Sequence, residues 1–244
     1  MLRAVTFDYW DTLLRIDPAT SIRDLQINAF ADELAAADHP RDRALLEVAF
    51  EENWDRFETA WVGNRGQYTP GDSTEFLAGR LGVTLTDRLR ARLVGSFRKA
   101  GELASLELAS GVVECLTDLR AAGLRLGIVC DVGLTSSPTL RERLTAFGLL
   151  RLFDAWAFSD ETGWFKPAAR AFEPACMKLG VAAHEVAHVG DSPRTDVAGA
   201  LALGMTAVRF AGFVDRPGGA DPEHPEAPFV VRDHREIPAV LGLS

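Results

Sequence analysis

Six side chains with reactive groups stand where the local pattern breaks off an apolar run or opens a turn. Asp8 ends Ala4-Val5-Thr6-Phe7, Cys130 and Asp131 end Leu126-Gly127-Ile128-Val129, Lys166 precedes Pro167, and Asp191 and Asp196 lie in Gly190-Asp191-Ser192-Pro193-Arg194-Thr195-Asp196. A carboxylate can act as a nucleophile, hold a hard cation or move a proton. Asp191 ends an expected strand and Asp196 lies in the first turn of the helix after it, so both carboxylates can turn back to one sheet edge. There they suit a hard divalent cation such as Mg²⁺, which keeps several waters. Lys166, ahead of a helix, can offset crowded carboxylates. The Cys130 thiol is a weak hydrogen-bond donor, and becomes a nucleophile only where a base or a helix N-terminus lowers its pKa. Each group also has a plainer role: Asp8 as a turn acid, Asp191 and Asp196 as acids favoured at a helix start, Lys166 as a solvated lysine and Cys130 as an inert core residue.

The elements that must present these groups follow from the apolar pattern. The run Ala4 to Phe7 reads as a buried strand that delivers Asp8 to the rim of a sheet, where ligands gather in open parallel α/β folds. After Leu14 helical spacing takes over: Ile22, Leu25, Ile27, Phe30 and Leu34, then Leu45, Leu46, Val48, Ala49 and Phe50. Breaks at His39-Pro40, Gly63 to Gly66 and Pro70-Gly71 divide this stretch into roughly four helices. Phe50, Trp54, Phe57 and Trp61 share one helical face, and we expect packing core rather than a substrate wall, with room for one member to face the pocket.

From Gly111 helices and strands alternate, the signature of a parallel sheet. The spacing predicts a helix over Val112 to Ala122 stopped by Gly123, a strand over Arg125 to Cys130, a helix from Ser137-Pro138 to Phe147-Gly148 and a strand over Phe153 to Phe158. A helix from Pro167, a strand over Val186 to Val189, a helix opened by Ser192-Pro193 and a strand over Met205 to Phe210 follow. Ala211 to Pro228, with Arg216-Pro217-Gly218-Gly219, reads as a surface loop; Phe229 to Val231 reads as an edge strand and Ile237 to Leu243 as a closing helix. The expected fold class is α/β, a doubly wound parallel sheet from residues 1–14 and 107–244 with a helical domain inserted over 15–106.

Bulk properties are those of an ordinary globular chain: 244 residues, 47% hydrophobic, 25% charged. A net charge of -9 argues against a general nucleic-acid footprint, but leaves room for a phosphorylated small molecule at a locally cationic site. Three cysteines, Cys115, Cys130 and Cys176, do not make a disulfide framework. With no signal peptide and no apolar stretch of spanning length, the expectation is a cytoplasmic protein with no membrane partner.

In order and spacing, Phe7-Asp8-Tyr9-Trp10-Asp11-Thr12-Leu13, the strand ending at Cys130-Asp131, Lys166-Pro167 and the Gly190 to Asp196 segment resemble the four motifs of the haloacid dehalogenase superfamily of hydrolases. The resemblance implies a helical cap over the active site, Asp8 as the nucleophile that forms an aspartyl-phosphate, and Lys166, Cys130 and Asp131 at the phosphate. It implies Mg²⁺ held by Asp8, the main-chain carbonyl of Trp10 and Asp191, with Asp196 as ligand or support. Two positions depart from the family pattern. Cys130 stands in place of a hydroxyl, leaving more of the phosphate to the main-chain amides of Asp131 and Val132. Trp10 stands where phosphatases of the family carry a second aspartate that protonates the leaving group, which an indole cannot do. Asp11, in place of a usual glycine, is a possible substitute acid.

Members that break carbon–halogen bonds carry an aromatic at the Trp10 position but depart from the Gly-Asp metal motif, which this chain keeps. The expectation is therefore a Mg²⁺-dependent phosphatase-type hydrolase of a small phosphorylated metabolite. Its alternatives are a 2-haloacid dehalogenase-like enzyme and a catalytically impaired binding or regulatory protein. His184-Glu185-Val186-Ala187-His188 also matches the H-E-x-x-H zinc pattern, but on a strand its histidines stand about 13 Å apart, too far for one ion.

Overall fold

The structure is a computed structural model and describes residues 1–63 and 67–243. Among the described residues there are eight strands: β1 (Ala4–Phe7), β2 (Leu14–Ile16), β3 (Leu106–Leu108), β4 (Arg125–Cys130), β5 (Ala155–Phe158), β6 (Val186–Gly190), β7 (Thr206–Phe210) and β8 (Phe229–Val231). The helices are α1 (Ile22–Ala35), α2 (Arg43–Val62), α3 (Pro70–Arg80), α4 (Asp87–Leu103), α5 (Val112–Ala121), α6 (Ser137–Ala146), α7 (Ser159–Thr162), α8 (Ala169–Leu179), α9 (Ala198–Ala202) and α10 (Ile237–Val240). Two compact units result, one of Met1–Arg15, Leu106–Asp131 and Arg141–Ser244, the other of Ile16–Ser105 and Val132–Leu140.

The first unit is a six-stranded sheet in the order β5-β4-β1-β6-β7-β8, parallel at every pairing. Its three central strands β4, β1 and β6 are buried almost throughout, as a parallel sheet covered on both faces requires. The chain enters at the centre, builds outward through β4 and β5, and then crosses to the other side of β1 for β6, β7 and β8. This reversal puts a topological switch point at the carboxyl end of β1, where two loops diverge and a crevice opens. On α5 the buried residues Val112, Cys115, Leu116 and Leu119 recur at helical spacing, and Gly123, at φ 81°, follows the helix in the left-handed region that a Cβ disfavours.

The elements differ from expectation at their edges. β5 begins at Ala155 because Leu150–Leu152 form a 3₁₀ turn ahead of it. The helix opened by Ser192-Pro193 begins as a π turn over Pro193–Val197 before continuing as α9. β2 and β3, three residues each, pair with one another in a small separate sheet that the sequence reading passes over. The Ala211 to Pro228 loop is tied down by a buried arginine: Arg209 donates Nε to Glu226 Oε1 (2.7 Å), Nη2 to Glu226 Oε2 (3.0 Å) and Nη1 to Asp215 Oδ1 (2.9 Å).

The second unit is helical, with α1 to α4 lying between β2 and β3 in the chain. Its core holds Phe30, Phe50 and Phe97, with ring centroids 5.5 to 6.2 Å apart. Each buried ring contributes roughly 1.5–3 kcal/mol relative to exposure. Of the aromatic stripe, Phe50 and Phe57 are buried and Trp61 is half-buried, whereas Trp54 is 52% exposed. The reason is helical drift: Trp54 lies about 40° around from Phe50, while Phe57 swings back the other way. Thr69 and Asp72 form a reciprocal capping box around Pro70 and start α3 at the expected Pro70-Gly71 break. Of the Gly63 to Gly66 break, residues 64–66 lie outside the described residues. No helix among the described residues is long and apolar enough to cross a membrane.

Candidate active site

The switch point collects the acids. Asp8 follows β1 directly, its main-chain N–H donating to Val189 O at 2.8 Å, so the end of β1 is stitched to the end of β6. Asp191 follows β6, and the ligand oxygens of Asp8, Asp191 and Asp196 lie within 4.8 Å of one another. All three residues are buried.

Lys166 is 2% exposed and spends all three ammonium protons inside this cluster: on Asp8 Oδ1 (2.6 Å), Asp196 Oδ1 (2.6 Å) and Val129 O (3.2 Å). Its own N–H donates to Asp131 Oδ1 at 3.0 Å, which fixes the backbone from which the side chain springs. The Lys166–Pro167 peptide is cis.

Asp196 is held from every side. Oδ1 takes hydrogen bonds from Lys166 and from His188 Nε2 (3.0 Å), and Oδ2 takes one from the Ser192 N–H (3.0 Å). The carboxylate packs against Gly190 so closely that a Cβ there would sit 2.2 Å from Asp196 Cγ. Burial works to raise the Asp196 pKa, but Lys166 and His188 outweigh it and hold the group well below the usual carboxylate range. Both oxygens of Asp196 are engaged, while Asp8 and Asp191 each keep one oxygen free of the described hydrogen bonds.

His188 faces Asp196 from inside β6 and is paired in register with Thr6 of β1. Its Nδ1 lies 2.9 Å from Thr6 Oγ1. Burial lowers its pKa in spite of Asp196, so the ring is neutral, with Nε2–H donating to Asp196 and Nδ1 accepting from the Thr6 hydroxyl. In the sequence His188 stands out only as half of a zinc pattern. Its partner His184 is exposed, in a 3₁₀ turn ahead of β6, and the two do not meet on a helix. The available signal was strand parity, since His188 and Gly190 must share a face.

Asp191 is met by Arg216 from the Ala211 to Pro228 loop, which donates Nη1 to Asp191 Oδ2 at 2.5 Å and Nη2 to Asp11 Oδ2 at 3.4 Å. Asp11 sits at φ 53°, a left-handed conformation that aspartate tolerates and glycine favours, and its carboxylate turns to this arginine. Burial, with Asp196 and Asp11 adding to it, pushes Asp191 up to about 7 against Arg216 and Lys166. Burial likewise raises Asp8 well above the ordinary value; Lys166 opposes this, and Asp196 and Asp191 add to it. Three buried carboxylates against one buried ammonium and the half-exposed Arg216 guanidinium remain short of positive charge. A hard divalent cation fits that deficit and that all-oxygen donor set.

Trp10 is half-buried, its ring edge-on to Tyr9 at 4.7 Å, and its carbonyl accepts none of the described hydrogen bonds. Cys130 ends β4, 1% exposed, and burial raises its thiol well above the usual value, with Asp8 adding to the effect. It is a thiol and not a thiolate.

A family model described as haloacid dehalogenase-like hydrolase matches residues 2–204. The chain is 32% identical over 209 residues to a phosphoserine phosphatase of Thermus thermophilus, covering 82% of this chain and 77% of that protein. It is 28% identical over 209 residues to (S)-2-haloacid dehalogenase 1 of a Pseudomonas species, covering 86% and 84%. Among solved structures it resembles a phosphatase from Thermococcus onnurineus, at 26% identity and TM-score 0.63, over 99% of this chain and 98% of that one.

Proposed function

We propose, since this chain belongs to the haloacid dehalogenase-like hydrolases, that it cleaves the phosphate from a small phosphorylated metabolite through a covalent intermediate on Asp8. The observation that carries the reading is the Lys166 ammonium set 2.6 Å from both Asp8 and Asp196, beside an acid cluster short of cationic charge. In this reading the free oxygen of Asp8 attacks phosphorus, the bond from phosphorus to the leaving oxygen breaks, and an aspartyl-phosphate results. Water then attacks that phosphorus, releasing inorganic phosphate and restoring the carboxylate. The charge of Lys166 lowers the repulsion between carboxylate and phosphate, and to meet a phosphoryl oxygen the ammonium turns one of the protons it gives Asp8, Asp196 and Val129 O towards it. Cys130, with the main-chain amides that follow it, lines the phosphate side.

Asp8, Asp191 and the Trp10 carbonyl would hold Mg²⁺, with Asp196 supporting. The ion supplies charge neutralisation at the transferring phosphoryl group. The indole of Trp10 has no proton to give at neutral pH, and the Asp11 carboxylate is turned to Arg216, so in this reading the leaving group departs with little proton help. General acid–base assistance is worth about 10²–10⁴-fold. Substrates with good leaving groups, such as acyl phosphates, are therefore favoured over alkyl esters.

A metabolite-phosphate panel that includes acetyl phosphate and an activated aryl phosphate, run with Mg²⁺ and with chelator, tests this. Turnover that vanishes with chelator and in Asp8→Asn supports the reading. The aromatic Trp10 favours a second one, in which Asp8 attacks the carbon of a 2-haloacid and halide leaves. Halide release that persists in chelator would establish it in place of the first. Saturable binding without turnover of either class would refute both.

A further inference from the structure

Arg216 stands on a loop that is tied down on either side of it. Asp215 accepts from Arg209 Nη1 (2.9 Å) and Arg232 Nη2 (2.6 Å), and, two residues after Arg216, the Gly218 N–H donates to Glu226 Oε2 (3.1 Å). Glu226 is in turn gripped by two nitrogens of Arg209. A loop built mainly of glycine, proline and charge is thereby held in one path. The product of that path is a guanidinium on Asp191 Oδ2 and Asp11 Oδ2.

The two partners differ in freedom. Asp191 has a side chain 9% exposed and cannot leave the site, whereas Arg216 has a side chain 51% exposed and can turn into water at little cost. A guanidinium and a divalent cation on the same carboxylate repel each other, and a half-screened unit charge still weighs heavily at such range.

We propose that Arg216 is a built-in counter-cation of the Asp191 carboxylate, which neutralises it in the metal-free protein, yields to a divalent ion, and so sets the ion concentration at which the site fills. This rests on the reading above that Asp8 and Asp191 hold a divalent ion, and it adds a residue outside the four motifs as the determinant of metal affinity.

The test is calorimetric titration of the full-length protein, stripped with chelator, with MgCl₂ and MnCl₂ at low ionic strength, alongside melting temperatures with and without metal. Arg216→Gln keeps a hydrogen-bond donor and removes the charge. It should bind the metal about tenfold tighter or more. It should also melt lower than wild type without metal and gain more from metal addition. Arg216→Lys keeps the charge and should stay within about threefold of wild type. Glu226→Gln loosens the loop without touching the site and should shift affinity in the same direction as Arg216→Gln, by less. Equal affinity in wild type and Arg216→Gln, or weaker binding in the variant, overturns the proposal and leaves the metal reading standing. Absence of divalent binding in both proteins overturns the metal reading, and this proposal with it.

Discussion

Replacing His234 with phenylalanine should remove a large part of the acid sensitivity of this protein. His234 is completely buried at the start of a 3₁₀ turn, 4.4 Å from the ring of Phe210 and 6.2 Å from that of Phe7, and neither ring nitrogen has a hydrogen-bond partner among the described residues. Burial lowers its pKa from 6.5 to about 4, against a weaker upward pull from the Ser110 carbonyl, which accepts its main-chain N–H, and from Asp233. The folded state therefore binds this proton less readily than the unfolded chain. The contribution to stability is full above pH 6.5 and falls as the pH drops towards 4. A gap of about 2.5 pH units at about 1.36 kcal/mol each gives about 3 kcal/mol lost in total, most of it by pH 4.5. Urea unfolding of wild type and His234→Phe between pH 8 and 4.5 measures it. The difference in stability between the two should shift in favour of the variant by about 2–3 kcal/mol across that range, other titrating groups cancelling in the comparison. At pH 8 the variant should be at least as stable, because two orphaned nitrogens, each costing about 1–3 kcal/mol, are gone. Parallel pH curves would refute the reasoning.

Three further substitutions bear on the site. Trp10→Asp should raise turnover of alkyl phosphates by up to about 10²–10⁴-fold and leave activated phosphates far less changed, as initial rates on matched substrates would show; an equal response to both classes contradicts the leaving-group argument. Gly190→Ala should abolish turnover and lower the melting temperature, since its methyl group would displace Asp196 and with it Lys166; an active, stable variant would mean that the backbone relaxes. His188→Leu should lower kcat by about 10–100-fold while KM changes little, because the imidazole acts only by holding Asp196; steady-state kinetics separate this from a simple loss of folded protein.

Asp8, Asp131 and Asp191 were legible as acids that end or follow runs of strand-forming residues, and Lys166 as a lysine before a proline. That these groups and Asp196 belong to one site came from their resemblance, in order and spacing, to the four haloacid dehalogenase motifs. His188 and Thr6 could not be joined in the same way. Their contact depends on β6 lying beside β1 in the register Thr6↔His188, a long-range fact that no local window contains. Arg216 was hidden for a different reason. Its loop reads as unstructured by composition, and only the buried Arg209 with Glu226 and Asp215 gives it a path. Which aromatic leaves the core is not readable from the spacing: Trp54 packs on Phe57 at 5.1 Å yet stays half exposed, because a stripe spaced by four, three and four residues is wider than the face it packs. β2 and β3 are too short for alternation to show.

The strand order also has a consequence for biosynthesis. β1 ends at Phe7, but its two partners begin only at Arg125 and Val186. At about 5–20 residues per second the ribosome needs roughly 6–24 s to deliver the first partner and roughly 9–36 s to deliver the second. For that interval Ala4–Phe7, later fully enclosed, has no edge to join. Its place in the sheet is completed only when the second half of the chain emerges, and a message truncated before residue 186 yields a polypeptide whose opening strand lacks one of its two neighbours.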